Sequence, residues 1–194
     1  GEAERVAESA VDAYTSNPEW DESAYGILKD YFARTGQWRK TVETNDRWLK
    51  SVDSEERRAT LLRENAFLLD TRAGVPAEAY RAYTAAFLAE PTDGDALGSV
   101  LRLGRAANAW DDLATTLEQA ATKVEGIDAR EILTELATIH DTRRDDPRLA
   151  LATWRKISDL EPTDEVALGQ MESLSTLLSD WRMLDVVLCR RAEL

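Results

Sequence analysis

The residues that could support catalysis or bind a metal are few in this chain and lie far apart. The sequence contains one histidine, His140, and one cysteine, Cys189. His140 has no second histidine, no cysteine nearby and no Ser/Asp partner pattern in the sequence, so a catalytic triad is not indicated, and a structural zinc ion needs about four ligands. A single thiol also excludes an intramolecular disulfide. We therefore expect His140 to be a packing residue and Cys189 an incidental thiol, in a non-enzyme with no cofactor or metal.

Longer motifs for chemistry are missing as well. The chain has no phosphate-binding loop, dinucleotide fingerprint, nucleophile elbow or paired-histidine zinc motif. Its acidic runs, such as Asp145-Asp146, lack the alternating ligands and glycine of a calcium loop. The formal net charge of −13 disfavours nucleic acids and anionic membranes, because both are bound by neutralising phosphates. No apolar run approaches the roughly 18 residues of a membrane span.

An internal repeat organises the chain. Glu90-Pro91-Thr92-Asp93 recurs as Glu161-Pro162-Thr163-Asp164, at an offset of 71 residues. The tripeptide Asp70-Thr71-Arg72 recurs at the same offset as Asp141-Thr142-Arg143. Further identities at this offset pair Ala96, Leu97, Gly98, Trp110, Leu113 and Leu117 with Ala167, Leu168, Gly169, Trp181, Leu184 and Leu188.

The repeat predicts the domain organisation. We expect a single repeat array over residues 1–194, with the duplicated 71-residue block at about 54–124 and 125–194. A third, more diverged copy begins at Asn17-Pro18 and includes Trp38 near the position of Trp110. Apolar residues still occur in the last predicted helix, and an array usually ends in a helix with a polar outer face, so we expect the natural protein to continue in both directions.

The elements of each block are predicted to be helices. Apolar residues follow the spacing of one helical face, for example Ile132, Leu133, Leu136 and Ala137. Glycine and proline fall where helices should stop, and Asp93 and Asp164 are placed to cap the helices that follow Pro91 and Pro162. The recurring Trp38, Trp110 and Trp181 are expected to pack in the core. We predict helices at about 2–15, 20–35, 37–52, 54–72, 76–89, 94–107, 109–124, 128–143, 147–160, 165–178 and 180–193.

A helix pair of about 35 residues with this pattern resembles the tetratricopeptide (TPR) repeat or a closely related helical-repeat family. The residues that carry the resemblance are Ala79, Tyr83, Ala86 and Pro91 in one second helix, and Ala150, Trp154, Ile157 and Pro162 in another. The Trp-Leu-Gly-Tyr signature of the family's first helix is not matched. The resemblance implies an all-α solenoid of about five antiparallel helix pairs, with a concave groove that binds peptides.

The leading functional hypothesis is a non-catalytic scaffold that binds a partner segment. Aligned to the family's pattern, a row of first-helix residues would face the partner, namely Tyr25, Lys29, Arg63, Phe67, Arg102 and Arg105. These cations would suit an acidic peptide or a free carboxylate. Two alternatives stay open: a structural spacer or self-assembling rod in an envelope or motility complex, and an accessory repeat domain of a larger enzyme. Arg72 and Arg143 are expected to stabilise helix C-termini or to pair with an aspartate.

Overall fold

The computed structural model describes residues 22–192, with side chains from residue 24 onward, and every regular element in that part of the chain is helical. The predicted helices over it are confirmed to within a few residues, and the helix predicted at 2–15 lies outside the described residues. The first elements are α1 (Glu22–Arg34), α2 (Trp38–Trp48), α3 (Glu55–Leu68), a π-helical turn (Leu69–Ala73) and α4 (Pro76–Ala89). They are followed by α5 (Gly94–Ala106), α6 (Trp110–Ala121), α7 (Gly126–Thr142), α8 (Pro147–Leu160), α9 (Glu165–Leu177) and α10 (Trp181–Ala192).

The described helices form two compact units, which divide between Glu90 and Pro91. Within each unit, each described helix packs against the next one along the chain. The connections inside a unit are short, so the chain cannot return to the start of one helix before the next helix begins. Helices that follow one another and pack together are therefore antiparallel. The fold is therefore all-α and is built from sequential antiparallel helix pairs, which is the α-solenoid class that the sequence predicts.

Side-chain caps fix where two helices of the second unit, α5 and α9, begin. The carboxylate of Asp93 accepts hydrogen bonds from the backbone N–H groups of Asp95 (3.0 Å) and Ala96 (3.1 Å). Asp164 caps α9 in the same way, accepting from the N–H of Ala167 at 3.0 Å. Both caps confirm the sequence-based prediction. Asp164 is also bound by the guanidinium of Arg130, with an Nη2–Oδ2 distance of 2.6 Å, so the start of α9 is tied to α7.

The core of the first unit is built around a pair of stacked aromatic rings. The rings of Tyr25 and Trp48 stack with their centroids 5.6 Å apart, and Val52 and Leu61 complete the cluster. Tyr25 is buried in this cluster, on the side of α1 that faces away from solvent. Since stacked rings and buried apolar area both favour the folded state, this cluster holds α1 against the helices that follow.

The core of the second unit is built mainly from aliphatic residues. Leu113, Leu117, Ile132 and Leu136 are all fully buried. Gly104 of α5 lies against Leu113 of α6, so closely that an added Cβ atom would be 2.6 Å from the Cγ atom of Leu113. This contact lets the two helices approach at a distance that a larger residue would not allow.

The repeated tryptophans are not equally buried, which corrects the expectation that all three belong to the core. Trp38 and Trp110 are half-buried, and Trp181 is 64% exposed. Burial of a residue at a repeated position depends on the element that packs over it. Trp110 is followed by α7, whereas Trp181 lies in the last described helix. Trp48 and Trp154 are the tryptophans that the described structure buries.

Candidate functional site

The predicted row of partner-binding residues divides in the first unit into buried and exposed members. Tyr25 lies in the core, so its ring is not on the surface. The ammonium group of Lys29 forms an ion pair with Glu64, with an Nζ–Oε2 distance of 2.7 Å. Arg63 and Phe67 lie one turn apart on α3, both exposed, and the Phe67 side chain is 54% exposed. The exposed part of the row in this unit is therefore the face of α3 that carries Arg63 and Phe67.

Lys29 belongs to a polar network that joins the first three helices. Glu64 accepts a hydrogen bond from Nδ2 of Asn45 at 3.1 Å as well as the ion pair from Lys29. Nδ2 of the buried Asn45 also lies 2.9 Å from Oδ1 of the buried Asn65, and Nδ2 of Asn65 donates to Asp46 at 2.8 Å. Buried amides are costly unless paired, so this network fixes the alignment of α1, α2 and α3. Sequence reasoning missed it because the two asparagines are 20 positions apart.

The remaining two members of the row lie in the second unit, on α5. Arg102 and Arg105 are both exposed. Nη2 of Arg105 is 2.6 Å from Oε2 of Glu135 on α7, so this cation already has a carboxylate partner. A partner that uses Arg105 must share or displace Glu135, which reduces the attraction that the residue can offer.

The arginines of the repeated Asp-Thr-Arg tripeptides are each associated with a tryptophan, one by direct contact and one by lining the same pocket. The guanidinium of Arg143 lies over the ring of Trp110, with Cζ 4.8 Å from the ring centroid. Arg72 and Trp38 line one pocket of about 240 Å³ in the first unit. A guanidinium over an indole ring is a favourable cation–π contact. The expected structural role of Arg143 is thus met by an aromatic ring rather than by an aspartate.

The single histidine of the chain is a buried packing residue, and its single cysteine lies on the surface. His140 is fully buried in α7, with Nε2 3.6 Å from Glu118 and Nδ1 3.4 Å from Arg144. Burial is the main cause that lowers the pKa of His140, and the Arg144 guanidinium acts in the same direction, while Glu118 opposes it. Cys189 is exposed. Among residues 22–192 no three His, Cys, Asp or Glu side chains are grouped so that they could hold a metal ion.

A basic groove in the second unit is a feature that sequence reasoning did not identify. It runs between α8 and α10 and has two connected parts, of about 620 Å³ and 330 Å³, which share Arg155, Asp180 and Met183. Five cationic side chains line this basic groove, whereas its acidic lining residues are Asp159 and Asp180. The cationic residues are Arg148, Arg155, Lys156, Arg182 and Arg190.

The ion pairs of the basic groove leave much of its positive charge available. Asp159 serves two arginines at once, with distances of 3.9 Å to Arg155 Nε and 3.5 Å to Arg190 Nη2. Asp180 uses its Oδ1 to accept the backbone N–H of Met183 at 3.1 Å. The sequence indicates part of this groove, because Arg148 and Arg155 are two helical turns apart and therefore lie on one face of α8. It does not show that α10 faces them.

No helix in the described part of the chain is both long enough and apolar enough to cross a membrane.

No protein-family model matches the sequence, and no curated protein matches it. The structure has similarity to the MamA protein, with a TM-score of 0.43 and 12% identity over 88% of this chain and 87% of MamA. It is also similar to BtubC (BKLC) from P. vanneervenii, with a TM-score of 0.46 and 12% identity over 99% of this chain and 87% of BtubC. Similarity at this level identifies neither a partner nor an activity.

Proposed function

We propose that this chain is a non-catalytic protein-binding scaffold made of TPR-like helix pairs. The proposal is carried by one observation, the exposure of Phe67 beside Arg63 on α3. A large aromatic side chain is usually buried in a folded protein, and the other two phenylalanines of this chain, Phe32 and Phe87, are buried. An aromatic residue next to an arginine is the combination that protein interfaces favour at their centre.

The proposed surface is narrower than the row predicted from sequence. In the first unit it consists of Arg63 and Phe67, with Tyr25 and Lys29 supporting the helices beneath it. In the second unit Arg102 and Arg105 form a separate exposed patch on α5. The partner is a protein or peptide, and the arginines favour one that presents carboxylates. The 71-residue duplication supports helix pairs as the repeating unit, and the single array over residues 1–194 is part of the same proposal.

Affinity capture from a lysate of the source organism tests the proposal. Phe67→Ala should remove captured proteins that the wild-type chain retains, while Ile127→Ala should leave the captured set unchanged. Ile127 is an exposed apolar residue of the second unit and is thus a control for the loss of any exposed hydrophobic side chain. Because both side chains are exposed, neither change should unfold the protein. Equal capture by wild type and Phe67→Ala would refute the role of α3.

One observation favours the alternative of a self-assembling rod. Trp181 and Leu188 of α10 are both exposed, although large apolar residues favour burial. If they mediate association between copies, sedimentation should detect oligomers that dissociate in Trp181→Ser. A monomer at all concentrations would remove this alternative.

A further inference from the structure

We propose that the basic groove between α8 and α10 binds an acidic segment of a partner protein that also carries apolar side chains. This inference rests on the proposed function and deepens it by naming a second surface and the chemistry of its partner. The surface is made only of residues in the second unit and is therefore independent of Phe67. It lies between two second helices of the repeat, α8 and α10, whereas the row predicted from sequence lies on first helices.

The floor of the groove suits apolar side chains. The sequence has two methionines, and both of them, Met171 and Met183, line the groove. Leu151 and Leu178 line the larger part. Methionine side chains are flexible and polarizable, so they adapt to ligands of different shape and are common on peptide-binding surfaces. A volume of about 620 Å³ is enough to receive several side chains, since ligand sites are typically about 300–1,000 Å³.

The rim of the groove suits carboxylates. Arg148, Lys156 and Arg182 line the groove and form no ion pair with any described residue. The five cations and two acids leave a net charge of +3 in the groove, although the whole chain carries −13. Cations gathered in a concavity concentrate the local potential. Each guanidinium can bind a carboxylate through two parallel hydrogen bonds, which favours Asp or Glu in the ligand.

The size of the groove and the charge around it favour one class of ligand. Arg148 and Asp159 mark its extent along α8, which is roughly 16 Å at about 1.5 Å per helical residue. That length accommodates about five extended residues or about three turns of helix. A nucleic acid or an anionic membrane would extend beyond the groove and meet the acidic body, and a second copy would bring a further charge of −13. A short acidic segment avoids both penalties.

Fluorescence anisotropy with the full chain tests the inference directly. The probe is a labelled short peptide in which Leu and Phe alternate with Asp and Glu, and its matched control has Asn and Gln in place of the acids. We expect the acidic peptide to bind with a Kd in the micromolar range and to bind more weakly as salt rises, because salt screens the contacts. The amide peptide should bind at least about tenfold more weakly, since it lacks the charge that the arginines recognise.

Two charge-reversed variants separate the groove from the net charge of the chain. Arg148→Glu with Arg182→Glu should weaken binding of the acidic peptide at least about tenfold, because these residues lose no ion pair and the fold is kept. Arg34→Glu with Arg81→Glu makes the same change in net charge on exposed residues of the first unit and should leave the Kd within about twofold. Circular dichroism should show the same helical spectrum for both variants.

Several results would overturn the inference. It fails if the acidic peptide does not bind at millimolar concentration, or if both double variants weaken binding equally. It also fails if single-stranded DNA or vesicles of anionic lipid displace the peptide at lower concentration than the unlabelled peptide does. In that case the Arg148→Glu, Arg182→Glu variant is used in the affinity capture. If it still retains the partners that bind through Phe67, only the groove assignment is wrong. Loss of capture by Phe67→Ala does not affect the groove.

Discussion

The contact between Gly104 and Leu113 makes a sharp prediction about Gly104→Ala. A Cβ atom on Gly104 would lie 2.6 Å from Cγ of Leu113 and 2.7 Å from each Cδ atom. Carbon atoms in ordinary contact are about 3.5–4.0 Å apart, so the helices or Leu113 would have to move by about 1 Å. Leu113 is 0% exposed, and the closest atom is the branch point of its side chain rather than a flexible end. The packing therefore offers no easy relief.

The magnitude follows from two opposing effects. Overpacking a well-filled core costs about 1–3 kcal/mol, whereas replacing a helical glycine with alanine contributes about 0.5–1 kcal/mol in favour of folding. We expect Gly104→Ala to lower the free energy of unfolding by about 1–2 kcal/mol. Gly98 is the matched control because it lies in the same helix and an added Cβ there meets no atom within 4 Å. Gly98→Ala should raise the free energy of unfolding by about 0.5–1 kcal/mol.

Urea denaturation followed by circular dichroism measures both effects, since the midpoint and slope give the free energy of unfolding. A double-mutant cycle with Leu113→Ala then identifies the cause. Leu113→Ala alone should cost about 2–5 kcal/mol, but the cost of the double variant should be smaller than the sum, because the removed side chain makes room for the new methyl group. If Gly104→Ala stabilises the protein as much as Gly98→Ala does, the close approach of α5 and α6 is wrong.

The other predictions concern burial, protonation and the polar network. Trp154→Ala should lower the free energy of unfolding by about 3–5 kcal/mol in urea denaturation, because Trp154 is 5% exposed. Trp181→Ala should cost less than about 1 kcal/mol, and equal losses would contradict the different burial of the two tryptophans. The pKa of His140 is lowered in the folded protein, so the imidazole binds its proton at a higher pH in the unfolded chain than in the folded one. The free energy of unfolding should therefore fall as pH drops below about 6.5. His140→Gln should flatten that dependence, and an unchanged pH profile would show that His140 does not cause it. Asn65→Ala should cost about 1–3 kcal/mol, because the buried amide of Asn45 loses one of its two acceptors and keeps only Glu64, and a loss below about 0.5 kcal/mol would count against the network.

Local sequence features determined the helices and their ends. The apolar spacing, the prolines at the first turns of α4 and α8, and the capping aspartates Asp93 and Asp164 act within one or two turns of the chain. Their effects can therefore be predicted without knowing what packs where. The repeat adds the order of the helix pairs, since the same local signals return after 71 residues.

Only the tertiary structure decided which residues are buried and which surfaces are charged. Gly104 and Ser175 occupy equivalent repeat positions, yet Gly104 is pressed against Leu113 while the second copy accommodates the larger Ser175 as a buried residue. Trp110 is similarly half-buried under Arg143, whereas its equivalent Trp181 is exposed. The basic groove also depends on α10 facing α8. Burial and electrostatic potential depend on every atom nearby in space, and neighbours from distant parts of the chain are not encoded in the spacing of a single helix.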